Sequence, residues 1–189
     1  MRHILFLKID LKYKEKLKII YKTFYIDDIK VSALGDLDKD LGDELRAFKR
    51  KEIECPNKIL NAFIEYYKSS NLKSEILLFV PSNKNDNIMN FFADYISKKL
   101  NIEKFDSIIF NKEIKEQKYL ETLKERKENT KNAFRLISPE KLINKNILLI
   151  DDVFASGFTL KEAIKILKEN GINNIECIIF CYRNHIFPE

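Results

Sequence analysis

The sequence predicts an α/β fold, a single domain with a mostly parallel, twisted sheet flanked by helices and a small N-terminal subdomain. Unbroken apolar runs at residues 75–80 (EILLFV), 146–150 (NILLI) and 175–182 (IECIIFCY) read as strands, and the middle one as a central parallel strand buried on both faces. Segments with helical spacing of apolar residues lie between these runs. The 189 residues, 45% apolar and 33% charged, suit one well-buried soluble domain and are short for two.

Taken in order, residues 4–9 read as a short strand and 13–25 as a basic helix with Leu17, Ile20, Tyr21 and Phe24 on one face. Residues 27–43, with Gly35 and Gly42 among many acids, read as a loop. Those acids lack the spacing of a calcium loop and predict a solvated surface. A proline at its start and Ile59, Leu60, Phe63, Ile64 and Tyr67 at helical spacing predict a packed helix over 56–68. The strand at 75–80 ends in Pro81-Ser82-Asn83-Lys84, and Asn85 or Asp86 stands where a cap would open the helix marked by Ile88, Met89, Phe92, Ile96 and Leu100. Residues 105–110 predict a further strand. Residues 112–132 are crowded with charge and read as an exposed helix with i,i+4 pairs. Gly171 stops the helix ahead of the last strand, and Arg183, Asn184, His185 and Phe187 follow as a fraying end. The chain thus divides into an N-terminal helical region, 1–72, and a core, 73–189.

Residues 146–160 carry the chemistry. The apolar strand runs into Asp151 and Asp152, then into the small-residue loop Ala155-Ser156-Gly157 and a new helix. In open α/β sheets ligands lie beyond the carboxyl ends of such strands. Gly157 allows a tight turn and close approach, and the helix start offers N–H groups and a positive dipole end, which favours a phosphate. Thr159 and Glu162 have the spacing of a capping box. Two adjacent carboxylates repel phosphate but accept hydrogen bonds from hydroxyls and hold a divalent cation. A sugar with a phosphate at one end and hydroxyls at the other satisfies both halves. No lysine of the P-loop kind follows the glycine, and no G-x-G-x-x-G occurs among only four glycines.

The chain carries 34 Lys and Arg against 29 Asp and Glu, a net charge of +5 that permits nucleic-acid contact without arguing for it. Cys55, Cys177 and Cys181 form neither a disulfide framework nor a zinc site, so a reducing cytoplasm is expected. The apolar run at residues 4–7 is too short for a signal core or a membrane span.

The stretch 146–160 resembles the phosphoribosyl pyrophosphate (PRPP) motif of type I phosphoribosyltransferases. Gln117, Arg126-x-x-Asn129 and Ala133-Phe134 ahead of it resemble the ComF family, phosphoribosyltransferase-like proteins linked to DNA uptake. The resemblance covers roughly residues 75–183. It implies that Asp151 and Asp152 meet the ribose hydroxyls, with magnesium held on PRPP beside them. It likewise assigns Val153, Phe154, Ala155, Ser156, Gly157, Phe158 and Thr159 to the ribose and 5'-phosphate site. Pro81, Ser82, Asn83 and Lys84 would grip the diphosphate, and Arg126 and Asn129 would act in catalysis. Residues 1–72 would include the hood, and 112–132 a mobile loop that closes over the reacting centre. Ala155 stands where purine-salvage members carry an aspartate base, and Phe158 is bulkier than usual. The four-cysteine zinc ribbon of many ComF proteins is not expected.

These readings predict a magnesium-dependent transfer of a phosphoribosyl group to a nucleobase-like acceptor. The alternative is a non-catalytic PRPP-binding regulator or competence adaptor, for which Ala155 speaks. The lysines and arginines of 112–131 raise single-stranded DNA as a further partner, beside a protein of the competence machinery. The sequence leaves the oligomeric state open, a homodimer included.

Overall fold

Phe24 and Ile26 are buried while Tyr25 between them is 47% exposed, and this period of two makes Lys22–Ile26 a strand, β1. The computed structural model describes residues 22–82, 87–115 and 119–183. The strand expected over 4–9 and most of the helix expected over 13–25 lie outside them, and the described end of that helix is corrected to β1. Asp27, at φ 54°, and Asp28 turn the chain back into β2 (Ile29–Asp36), the antiparallel partner of β1.

β2 and the start of α1 (Asp40–Lys49) replace the loop expected over 27–43. The acids suggested a loop because they mark boundaries: Asp36 ends the strand, and Asp40 and Asp43 lie in the first helical turn, where negative charge complements the dipole. Ahead of Asp36, Val31, Ala33 and Leu34 of β2 are buried.

The expected helix and strand follow as α2 (Asn57–Ser69) and β3 (Ile76–Phe79), then α3 (Ile88–Leu100). The cap foreseen at Asn85 or Asp86 lies outside the described residues; Asn87, at φ 51°, occupies the N-cap position. β4 (Glu103–Lys104) pairs with β3, and the strand expected over 105–110 shortens to β5 (Ile108–Phe110). β5 leaves the central sheet and pairs with β6 (Phe134–Leu136) as an antiparallel ribbon. Between them α4 (Leu123–Thr130) opens with a capping box from Thr122 and Glu125. The last elements among the described residues are β7 (Ile147–Phe154), α5 (Phe158–Glu169) and β8 (Ile175–Tyr182).

The central sheet has the order β1-β2-β8-β7-β3-β4 and is parallel except for β1. It is therefore the α/β architecture expected, one mostly parallel sheet between helices. The segment 22–72 supplies two of its strands as well as two helices. On one face Leu160, Ala163, Ile164 and Leu167 of α5 join Ile147 and Leu149 of β7 and the β5–β6 ribbon. On the other, α1, α2 and α3 bury Leu45, Phe63 and Phe92 against Leu148, Ile150 and Phe180. Covering on both sides explains why β7 and β8 read as continuous apolar runs.

Candidate functional site

The strand that carries the acid pair is longer than its apolar run: β7 continues to Phe154, and Asp151, Val153 and Phe154 stay in the ladder opposite Ile179, Cys181 and Tyr182 of β8. The acids are thus positioned by the sheet itself. Asp151 is only 9% exposed, and its Oδ1 accepts the Asp152 N–H at 2.9 Å. Burial holds its carboxyl well above the usual carboxylate range; the charge of Asp152 acts in the same direction, against the backbone N–H bond and Lys49. Asp152 is ion-paired with Lys49 at the end of α1.

Gly157, at φ +73°, begins α5 in the left-handed region. A Cβ there would stand 2.5 Å from the ring of Phe154, so the loop rests directly on that ring. Phe154 in turn is buried against Phe24, with centroids 4.3 Å apart. The helix starts at Gly157, so the capping box foreseen at Thr159 and Glu162 does not form. Glu162 instead accepts the backbone N–H of Asn132 at 2.7 Å and joins α5 to the turn after α4.

A cavity of about 370 Å³ opens at these strand ends. Asp151, Asp152, Val153 and Phe154 line it together with Ala155, Ser156, Gly157 and Thr159 of the loop. Pro81 and Ser82 line it from the end of β3, and Arg126 from α4. Most of the sites foreseen from sequence therefore converge on one space. Phe154 contributes its ring as a buried floor, and its carbonyl accepts the Arg183 N–H at 2.9 Å. Phe158 does not line the cavity, and Asn83 and Lys84 lie outside the described residues, as does Gln117.

Asn129 is not among the residues that line the cavity. Its Oδ1 accepts the Lys115 N–H and its Nδ2 donates to the Lys115 carbonyl, both at 2.9 Å, which clamps the segment around Lys115 to α4. Arg126 lies one turn earlier, with its Nε donating to the Leu120 carbonyl at 3.1 Å.

Among the lining residues that sequence reasoning did not name as site residues are Lys49, Ile114 and Lys115. No motif marks them. The apolar spacing of Leu41, Leu45 and Phe48 was a signal for α1, and hence for a fixed direction of Lys49, but the acids before it masked the helix. Among the described residues no cluster of three or more His, Cys, Asp or Glu forms a metal cage, and no helix is long and apolar enough to cross a membrane.

The family model of the phosphoribosyl transferase domain matches residues 91–186, just over half of the 189 residues. Competence protein F of Haemophilus influenzae is 39% identical over 54 residues, which are 28% of this chain and 24% of that protein. The chain therefore spans about a quarter of the curated relative it matches. Among solved structures, adenine phosphoribosyl transferase of Trypanosoma brucei, in complex with AMP, pyrophosphate and ribose-5-phosphate, is similar at 13% identity and a TM-score of 0.46. That match covers 70% of this chain and 66% of the other. Purine phosphoribosyltransferase of Pyrococcus horikoshii matches at 16% identity and a TM-score of 0.43, over 70% of this chain and 90% of its own.

Proposed function

Because the chain belongs to the phosphoribosyl transferase domain family, we propose that its cavity binds PRPP with magnesium and that the protein transfers the phosphoribosyl group to a nucleobase-like acceptor, releasing diphosphate. One observation carries this reading. The acid pair, the loop of residues 155–159, Pro81–Ser82 and Arg126 line the same cavity. Backbone amides of the loop and the start of α5 would take the 5'-phosphate, since a helix N-terminus attracts an anion. Asp152 and Asp151 would accept the ribose hydroxyls. Amides after β3 and the cation of Arg126 would take the diphosphate.

Two adjacent carboxylates suit a magnesium ion that arrives on a diphosphate, because that ion usually keeps water and phosphate ligands and takes one or two carboxylates. They do not make a resident cage. Magnesium so held would withdraw charge from the leaving diphosphate. In the transfer, a lone pair of the acceptor forms a bond to the anomeric carbon while the carbon–oxygen bond to diphosphate breaks, and diphosphate leaves with that electron pair. An acceptor that arrives deprotonated needs no base, which accommodates Ala155. Ile114 and Lys115, held against α4 by Asn129, would exclude water from the reacting carbon.

Titration calorimetry with PRPP and magnesium tests the reading: saturable binding is expected, and Asp151→Asn with Asp152→Asn should abolish it. Absence of binding by the wild-type chain overturns the proposal. Ala155 in the cavity wall favours a second reading, a cytoplasmic PRPP-binding regulator or competence adaptor without turnover. Diphosphate release in the presence of any of a panel of nucleobases rejects it.

A further inference from the structure

One cation reaches the cavity from a part of the chain that no motif identifies. Lys49 is the last residue of α1, where a basic side chain ordinarily complements the negative end of the helix dipole. Its ammonium instead crosses to Asp152 on β7 and lines the cavity. The two side chains are 34% and 23% exposed, so the pair sits in the cavity mouth and not on the open surface.

The helix that aims Lys49 is fastened along its length. A Cβ at Gly42 would lie 1.8 Å from the Leu37 carbonyl oxygen, so only glycine lets α1 lie this close to the chain before it. Arg46 donates to that same carbonyl at 2.6 Å. The Glu44 carboxylate accepts the N–H groups of Lys58 and Ile59 at 3.0 and 2.8 Å, tying α1 to the first turn of α2. Phe48 packs on Phe91 and Phe92, at 4.9 and 5.5 Å between centroids, early in the helix that follows the loop of Pro81 and Ser82. Lys49 therefore pairs with one of the acids and lines the same cavity as Pro81 and Ser82. An ammonium carries three donors, so a bond to Asp152 is compatible with another to a ligand oxygen.

Resting on the PRPP reading above, we propose that Lys49 is a ligand-binding residue: it holds Asp152 toward the ribose hydroxyls and lends positive charge to the adjoining diphosphate, so binding retains part of its strength without a divalent cation. The charge is built into the scaffold and does not depend on metal supply.

Calorimetry with PRPP, in magnesium buffer and in EDTA, on the wild type, Lys49→Met and Lys49→Arg decides the matter. Lys49→Met keeps the apolar stem and is expected to weaken binding roughly ten- to a hundredfold in EDTA, the loss of a charge-assisted bond, and clearly less in magnesium. Lys49→Arg should recover most of that loss. Equal affinity of Lys49→Met and wild type in EDTA overturns the inference, and so does a loss of the same size in both buffers, which a merely structural role would produce. If thermal melting shows Lys49→Met to be poorly folded, Lys49→Gln takes its place under the same criteria. A wild-type chain that ignores PRPP in both buffers overturns the reading of the site, whereas binding that is indifferent to Lys49 overturns this inference alone.

Discussion

The two walls of the cavity are built in opposite ways. On one side β7 and the start of α5 hold the acids and the loop, with Ile147, Leu149, Leu160 and Ile164 fully packed beneath them. On the other, α4 has only Thr130 buried, and hydrogen bonds tie it to its surroundings: Asn129 to Lys115, Arg126 to the Leu120 carbonyl and, beyond its end, Asn132 to Glu162. The first wall is fixed by removal of apolar surface from water and the second by polar contacts, each worth about 0.5–1.5 kcal/mol. Such a difference suits a site in which one side defines ligand geometry and the other adjusts around it.

Three substitutions sharpen this contrast, and the largest effect is expected at Phe154. Phe154→Ala removes the ring that packs on Phe24 and supports Gly157, and should destabilise the fold by about 3–5 kcal/mol while the loop loses its floor. Chemical denaturation measures the first effect and phosphate-ester binding the second. A variant as stable as wild type would show that the first wall is not held by its core.

A smaller and opposite effect is expected at Asp151. Burial first, and then the charge of Asp152, holds this carboxyl above its ordinary value of 3.8, so the folded chain keeps its proton more tightly than the unfolded one. Stability at this group is therefore lost as pH rises from that ordinary value toward the raised one. Asp151→Asn removes the charge yet leaves an oxygen for the Asp152 N–H. The melting temperature should rise by roughly a few degrees near pH 8, with the gain shrinking as pH falls toward about 4. Ligand binding should fall at the same time, the trade of stability against function found at binding sites. A melting point below that of wild type at about pH 8 would contradict this account.

The smallest global effect is expected on the second wall. Asn129→Ala breaks both bonds to Lys115 and should shift the melting point by only about 2 °C or less. Hydrogen exchange at the Lys115 amide should nevertheless speed up by roughly tenfold, in line with about 1 kcal/mol of lost local protection. Unchanged exchange would mean that the clamp is not what holds this segment.

What the sequence disclosed and what it hid follow from the same physics. β3, β7 and β8 were legible because strands covered on both faces need apolar side chains at every position. α2, α3 and α5 were legible from their apolar spacing. The β1–β2 hairpin was not, since β1 is a short edge strand with one exposed tyrosine and its neighbouring acids imitate a loop. β4 has two residues and no signal of its own. At the site, the acids and the loop were visible because their chemistry is contiguous in the chain. Lys49 was hidden because only folding brings α1 to β7. The Thr122 and Glu125 capping box was readable in principle, and it would have located α4 within a segment that charge alone described as exposed.

Asp151 and Asp152 both lie within β7, and Asp151 and Val153, on either side of the second acid, are set opposite Ile179 and Cys181 of β8. Their separation and outlook cannot be retuned by loop motion or by a nearby insertion without reworking the whole sheet. Adjustment of the cavity is thereby channelled to the contributions of α1 and of the segment around Ile114 and Arg126. That leaves a rigid anvil at the strand ends and adjustable tools around it.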